Sequence, residues 1–192
     1  MRLSAISPRR LAAIAATACA VALIPACALA VTTSPAAPSA ASTPACATSG
    51  LVVWMNTTGS AYAGGIYYTL EFTNLSGHTC TLHGYPGVSA VTLSGRPVGS
   101  PGLRSPARPT TVSLPGGATA TATLQITDPG NFGTVCFLPG PPPEPGRPGK
   151  LPTAAGLRVY PPNQFTSKVI PFPFSACYRT GPVWLHVTPV QK

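Results

Sequence analysis

Residues Tyr67 to Val88 read YYTLEFTNLSGHTCTLHGYPGV, and this stretch decides the fold. Tyr68, Leu70 and Phe72 alternate with Thr69, Glu71 and Thr73, the period-two signature of a strand that buries one face. Asn74, Leu75, Ser76 and Gly77 follow, and Asn and Gly tolerate the left-handed backbone that reverses a chain. A second apolar run, Cys80 to Tyr85, is closed by Pro86-Gly87. The expectation is a hairpin-like unit carrying a half-cystine, with a β-sandwich built around it. Nothing in the stretch points to chemistry.

The flanking sequence has the same character. Leu51 to Met55 is a short apolar strand ended by Asn56-Thr57-Thr58-Gly59, and Ala61 to Gly65 is a bend into the opening stretch. Val88 to Leu93 continues as a strand and Ser94 to Pro97 turns it. Val98 to Pro109, rich in Gly and Pro, is a surface loop holding Arg104 and Arg108. Thr111 to Leu114 resumes the sheet before the turn Pro115-Gly116-Gly117. Ala118 to Thr127 alternates most cleanly, with Ala118, Ala120, Ala122, Leu124 and Ile126 on one face and Thr119, Thr121, Thr123, Gln125 and Thr127 on the other. Residues 139–152 carry seven prolines and form an extended loop outside the sheet. Gly156 to Tyr160 is another strand. Val169 to Phe174 is interrupted by Pro171 and Pro173 and belongs at an edge or in a loop, since proline has no ladder donor. At the end, Val183, Leu185 and Val187 alternate with Trp184, His186 and Thr188. Helical periodicity is missing after the first thirty residues, and the chain has 25 Pro and 19 Gly. The fold class is all-β, a single antiparallel sandwich of two packed sheets.

The N-terminus reads as a targeting segment. Arg2, Arg9 and Arg10 precede an uninterrupted apolar stretch, Leu11 to Ile24, and Pro25 breaks it. Ala28-Leu29-Ala30 offers the small-x-small pattern of signal peptidase. Residues 1–30 are therefore expected to be a signal peptide for general secretory export. A flexible linker of small residues and proline follows over 31–45, then the domain over 46–192. In a competing reading Ile24-Pro25-Ala26-Cys27 is a lipobox, and Cys27 becomes the lipid-modified end of an anchored lipoprotein. The protein is thus expected to be secreted or held at the envelope surface, as a monomer that touches membrane only if lipidated at Cys27.

Removal of residues 1–30 leaves Cys46, Cys80, Cys136 and Cys177, which in an exported chain read as two disulfides with three allowed connectivities. None is left over for nucleophilic or redox work, and none sits in a C-x-x-C pair. The whole chain has 12 Lys and Arg against 3 Asp and Glu. That excess favours an anionic cell-wall component or an acidic protein as partner. Aromatic residues do not interleave with the basic ones as in a nucleic-acid reader, so nucleic acid is not expected. Arg96, Arg104 and Arg108 lie close together in sequence and are the candidate contacts to an anionic ligand.

A hydrolase needs a nucleophile, a base and an orienting acid. Ser76, His78 and Asp128 is one conceivable set, but no G-x-S-x-G elbow is present. Glu71 and Asp128 are the only plausible carboxylate pair for glycoside chemistry. His78 and His83 are five apart, with no carboxylate or thiolate placed to complete a metal shell. His78 reads as a backbone hydrogen-bonder and His186 as a solvated residue of the last strand. No catalytic residue, metal or cofactor is expected. What remains is binding by surface, with Tyr62, Tyr67, Tyr85, Tyr160 and Trp184 as an aromatic platform and core packing as the competing account.

FTNLSGHTCTLHGYPGV at Phe72 to Val88 resembles the signature of an actinobacterial exported family, domain-of-unknown-function family 4232. GRPVG at Gly95 to Gly99, VSLPGGATA at Val112 to Ala120, GLRVYPP at Gly156 to Pro162 and the Cys177 region extend the likeness. It runs from Cys46 to about Val190. The resemblance implies a secreted or lipoprotein-anchored immunoglobulin-like sandwich with cysteines paired in sequence order, Cys46–Cys80 and Cys136–Cys177. It implies no activity, and the Pro-rich insert after Cys136 departs from its pattern. The expected function is an exported, non-enzymatic binding, adhesion or accessory module at the actinobacterial cell envelope. The alternatives are a structural envelope protein with no ligand of its own and a hydrolase.

Overall fold

Alternation along the chain generates the sheets of the computed structural model, which describes residues 42–141 and 149–192. The signal segment, the lipobox, the linker up to residue 41 and the centre of the Pro-rich loop lie outside the described residues. Eleven strands are β1 (Leu51–Tyr62), β2 (Gly65–Asn74), β3 (Cys80–His83), β4 (Gly87–Val91), β5 (Pro97–Val98), β6 (Leu103–Arg104), β7 (Thr111–Leu114), β8 (Thr119–Thr127), β9 (Thr153–Tyr160), β10 (Lys168–Ser175) and β11 (Leu185–Val187). They form a five-stranded sheet in the order β1-β2-β8-β11-β6, a four-stranded sheet in the order β10-β9-β4-β5, and the two-stranded ribbon β3-β7. The described helical segments are two 3-10 turns, Thr48–Gly50 and Pro129–Val135.

The alternating strands bury the faces their sequences mark out. Leu70 and Phe72 of β2 are fully buried, and they face Ala122 and Ala120 of β8 in register. Large side chains opposite small ones let the layer pack without voids. A single buried cluster joins Val53, Met55, Leu70, Phe72, Leu124 and Leu185 of the five-stranded sheet to Val88, Ala90, Leu157, Val159 and Ile170 of the four-stranded one. A run of rings crosses between the sheets: Tyr68 on Phe172 (centroids 5.2 Å), Phe172 on Phe174 (5.5 Å) and Phe174 on Trp184 (5.8 Å). The disulfides are Cys46–Cys80 and Cys136–Cys177, with sequence separations of 34 and 41. Each constrains the unfolded chain by roughly 4 kcal/mol at most, against a typical domain stability of about 5–15 kcal/mol.

The two halves of the opening stretch part company after Asn74. β3 pairs with β7, Cys80 opposite Leu114 and Leu82 opposite Val112, so β2 and β3 are not a hairpin. Asn74 drives this divergence. It is wholly buried, and its Nδ2 donates to the carbonyls of His78 and Leu114, both at 2.8 Å. Its Oδ1 accepts from the backbone and hydroxyl of Ser76 at 2.9 and 2.6 Å. This Asx turn, with Gly77 at φ +77°, swings the chain out of one sheet and into the ribbon.

Elsewhere the pairing refines the expected boundaries. β1 does not stop at Asn56 but runs to Tyr62 through an irregularity between Asn56 and Ser60, because β2 continues to pair beside it. The linker ends earlier than residue 45. Thr81 N–H donates to the Pro44 carbonyl and Cys46 N–H to the Thr81 carbonyl, both at 2.9 Å, so this segment is laid along β3. The loop Val98 to Pro109 is pinned by β6, which pairs parallel to β11, so the five-stranded sheet is not purely antiparallel. β10 is an edge strand, with exposed Pro171 and Pro173 between inward Ile170, Phe172 and Phe174. In the last segment Trp184 is fully buried and Val183 is exposed. Alternation begins only at Leu185, because the chain joins β8 where the Trp184 carbonyl accepts from Thr127 N–H.

Candidate binding face on the five-stranded sheet

The residues of β1, β2, β8 and β11 that do not enter the core share the outer face of the five-stranded sheet. Strand register lays them out in rows. Trp54 lies beside Glu71 and Thr121, and Asn56 beside Thr69 and Thr123. Tyr67, Gln125, His186 and Leu103 form the longest row. Trp54 is 51% exposed and Tyr67 39%. The Tyr62 ring stacks on Tyr67 at 4.6 Å, and the Tyr62 hydroxyl bonds Thr127 Oγ1 and accepts from Gln125 Nε2, both at 2.8 Å. These contacts fix the two tyrosines against the sheet. At about 3.3 Å per residue and 4.8 Å per strand, Trp54 and Tyr67 stand roughly 14 Å apart. Sugar or polyol units laid on the face would meet aromatic surface at both ends and threonine hydroxyls between them.

Charge is distributed unevenly about this face. β1, β2 and β8 contain no lysine or arginine, and Glu71 is their single charged residue. The cations lie past the β11 side. Arg104 sits on β6 with its guanidinium 5.5 Å above the Tyr85 ring, a cation–π contact. The Tyr85 hydroxyl reaches the carbonyls of Ser105, at 2.9 Å, and Ala107, fastening the segment between the two arginines. Arg108 lines a groove of about 440 Å³ with Thr110, Thr123, Thr188 and Gln191. Thr123 and Thr188 belong to the outer face, so groove and face are continuous. Arg104 and Arg108 are thus held together around Tyr85. Arg96 stands elsewhere, in the turn between β4 and β5 of the other sheet, where Arg158 donates to the Gly95 carbonyl at 2.6 Å.

The five-membered aromatic platform does not form. Trp184 is in the core, Tyr160 is half-buried on β9 opposite Gly87, and Tyr85 carries the arginine loop. Tyr62 and Tyr67 remain, and Trp54 takes the place given to Trp184. Trp54 was not legible in LVVWM, because outward Val52 and Trp54 are as apolar as inward Leu51, Val53 and Met55.

The polar residues considered for chemistry go to other partners. The Ser76 hydroxyl is bonded to Asn74, and His78 Nδ1 to the Ser76 carbonyl at 3.1 Å, as expected of a backbone-bonding histidine. Asp128 Oδ1 accepts from Gly130 N–H at 2.8 Å, so no bond links serine, imidazole and carboxylate. Glu71 is level with Thr121, seven residues before Asp128 on one strand path. That is roughly 23 Å, beyond the 5–10 Å of a glycosidase pair. His83 Nδ1 bonds the Thr111 hydroxyl at 3.1 Å. His186 is half-buried rather than solvated, because the β6 segment covers one side of it and leaves Nδ1 buried without a protein partner. Among the described residues no group of three or more His, Cys, Asp or Glu gathers, and no helix is long and apolar enough to cross a membrane.

No curated protein and no solved structure matches the chain. Residues 46–191, nearly all of the described β-structure, match the model of a domain of unknown function, DUF4232, and the chain belongs to that family.

Proposed function

We propose that this protein is an exported, non-enzymatic binding module of the cell envelope that holds an anionic, hydroxyl-rich polymer across the outer face of its five-stranded sheet. The observation that carries the reading is the continuity of that face. Exposed Trp54 and Tyr67 lead through Thr69, Thr123 and Gln125 to the groove at Arg108, and Arg104 stands at the neighbouring sheet edge on β6, level with Val187. Sugar or polyol rings lie on the aromatic surface, and anionic groups lie at the arginine edge. Two disulfides support a place outside the cytoplasm. The N-terminal pattern supports secretory export, either free after Ala30 or lipid-anchored at Cys27.

Binding of the full chain to isolated cell-wall polymer, followed against salt, tests this. Arg104→Ala with Arg108→Ala weakens binding about threefold to tenfold at low salt and flattens the salt dependence. Trp54→Ala weakens it about tenfold at every salt concentration, as for an aromatic anchor. Binding unchanged in both variants contradicts the proposal.

A further inference from the structure

At the end of the sandwich where β1 turns into β2, the space between the sheets opens into a cleft of about 460 Å³. Its lining combines the apolar and aromatic side chains of Ile66, Tyr68, Ile126, Phe172 and Phe174 with polar surface that includes Asp128 and Ser175. The cleft lies within the size range of small-ligand sites, and its few polar groups set orientation. Tyr68 meets Phe172 edge to face at an interplanar angle of 71°, so the rings present both faces and edges to the space. One Asp128 oxygen is engaged by Gly130 N–H, and among the described residues no lysine or arginine shares the cleft wall. That is notable in a chain with 12 Lys and Arg against 3 Asp and Glu. Ring faces attract cations through their quadrupole, and a carboxylate in the lining adds attraction of the same sign.

We infer that this cleft is a site for an organic cation, an ammonium group carried on a short apolar body. The apolar body lies among Ile66, Ile126 and Phe172, and the ammonium lies between the aromatic faces and Asp128. The site is separate from the polymer-binding face, since Tyr68, Phe172 and Phe174 point between the sheets and Trp54 and Tyr67 point away. The whole-chain charge attracts anions, so a preference for cations at this point requires a local cause.

Trp184 supplies the readout, because its buried ring stacks on Phe174. The chain has two tryptophans, so Trp54→Phe leaves Trp184 as the sole indole. In that full-length background, hexylammonium, hexan-1-ol and hexanoate are titrated against Trp184 fluorescence, with ligand-observed saturation-transfer NMR as the second measurement. Hexylammonium is expected to bind tightest and hexanoate weakest. Asp128→Asn keeps an oxygen for Gly130 N–H and lowers hexylammonium affinity roughly fivefold, to the level of hexan-1-ol. Phe172→Leu keeps apolar volume but removes the ring, and weakens hexylammonium about threefold while leaving hexan-1-ol unchanged. Equal affinity for the three probes, no saturable binding by either method, or hexylammonium binding indifferent to Asp128→Asn overturns the inference.

Discussion

Asn74 holds more of this protein together than any other polar side chain. Its four side-chain hydrogen bonds tie the end of β2 to the following turn and to β7, forty residues away at Leu114. Its backbone adds two more, donating to Ala118 and accepting from Gly117. Replacement by Ala strands the His78 and Leu114 carbonyls and is expected to destabilise by about 3 kcal/mol or more. Asn74→Asp should be at least as damaging, since a carboxylate accepts from Ser76 but donates to neither carbonyl. Ser76→Ala should cost about 1 kcal/mol. Urea unfolding of the three variants checks this order, and an Asn74→Ala loss no greater than that of Ser76→Ala would contradict it. The sequence shows Asn74 as turn chemistry in N-L-S-G, which is correct. Its burial was not legible, because Leu114 and Ala118 reach it only through the sheets' arrangement.

At the scale of elements, legibility follows contrast between faces. β8 was clear because every inward residue is Ala, Leu or Ile and every outward one Thr or Gln. Leu124→Ala should therefore lose about 2–5 kcal/mol, while Thr121→Ala, on the same strand and outward, should change stability by about 0.5 kcal/mol or less. Comparable losses at the two positions would mean that the assigned faces are wrong. β1 was found but cut short, since Asn56 to Ser60 reads as a turn and is in fact a strand irregularity held by pairing with β2. β10 announced its edge position through Pro171 and Pro173. Its role in the cleft was hidden, since P-F-P-F shows that Phe172 and Phe174 share a face without showing which space that face lines. Strand partners are the least local feature. β3 with β7 and β6 with β11 are joined by segments whose residues do not encode the partner.

For the whole molecule, composition gave the all-β class and the expected pairing of the cysteines agrees with the structure. The candidate site was legible in part. Arg104 and Arg108 were read from charge, and they come together because Tyr85 fastens the loop between them. Arg96 lies on the other sheet, since the residues that separate it from Arg104 and Arg108 pass from β5 at one sheet's edge to β6 at the other's. Trp54 and Gln125 joined the site only through register. The outer face of the five-stranded sheet is an aromatic and hydroxyl surface that leads to the Arg108 groove, and Tyr68, Phe172 and Phe174 line a cleft between the sheets. The most direct test of the binding face is an NMR titration of the isotope-labelled full chain with isolated envelope polymer. The account predicts shifts at Trp54, Tyr67, Thr123, Gln125, Arg104 and Arg108, with Val88, Leu157 and Val159 of the other sheet unmoved. Shifts centred on the four-stranded sheet, or none at saturating polymer, would contradict it.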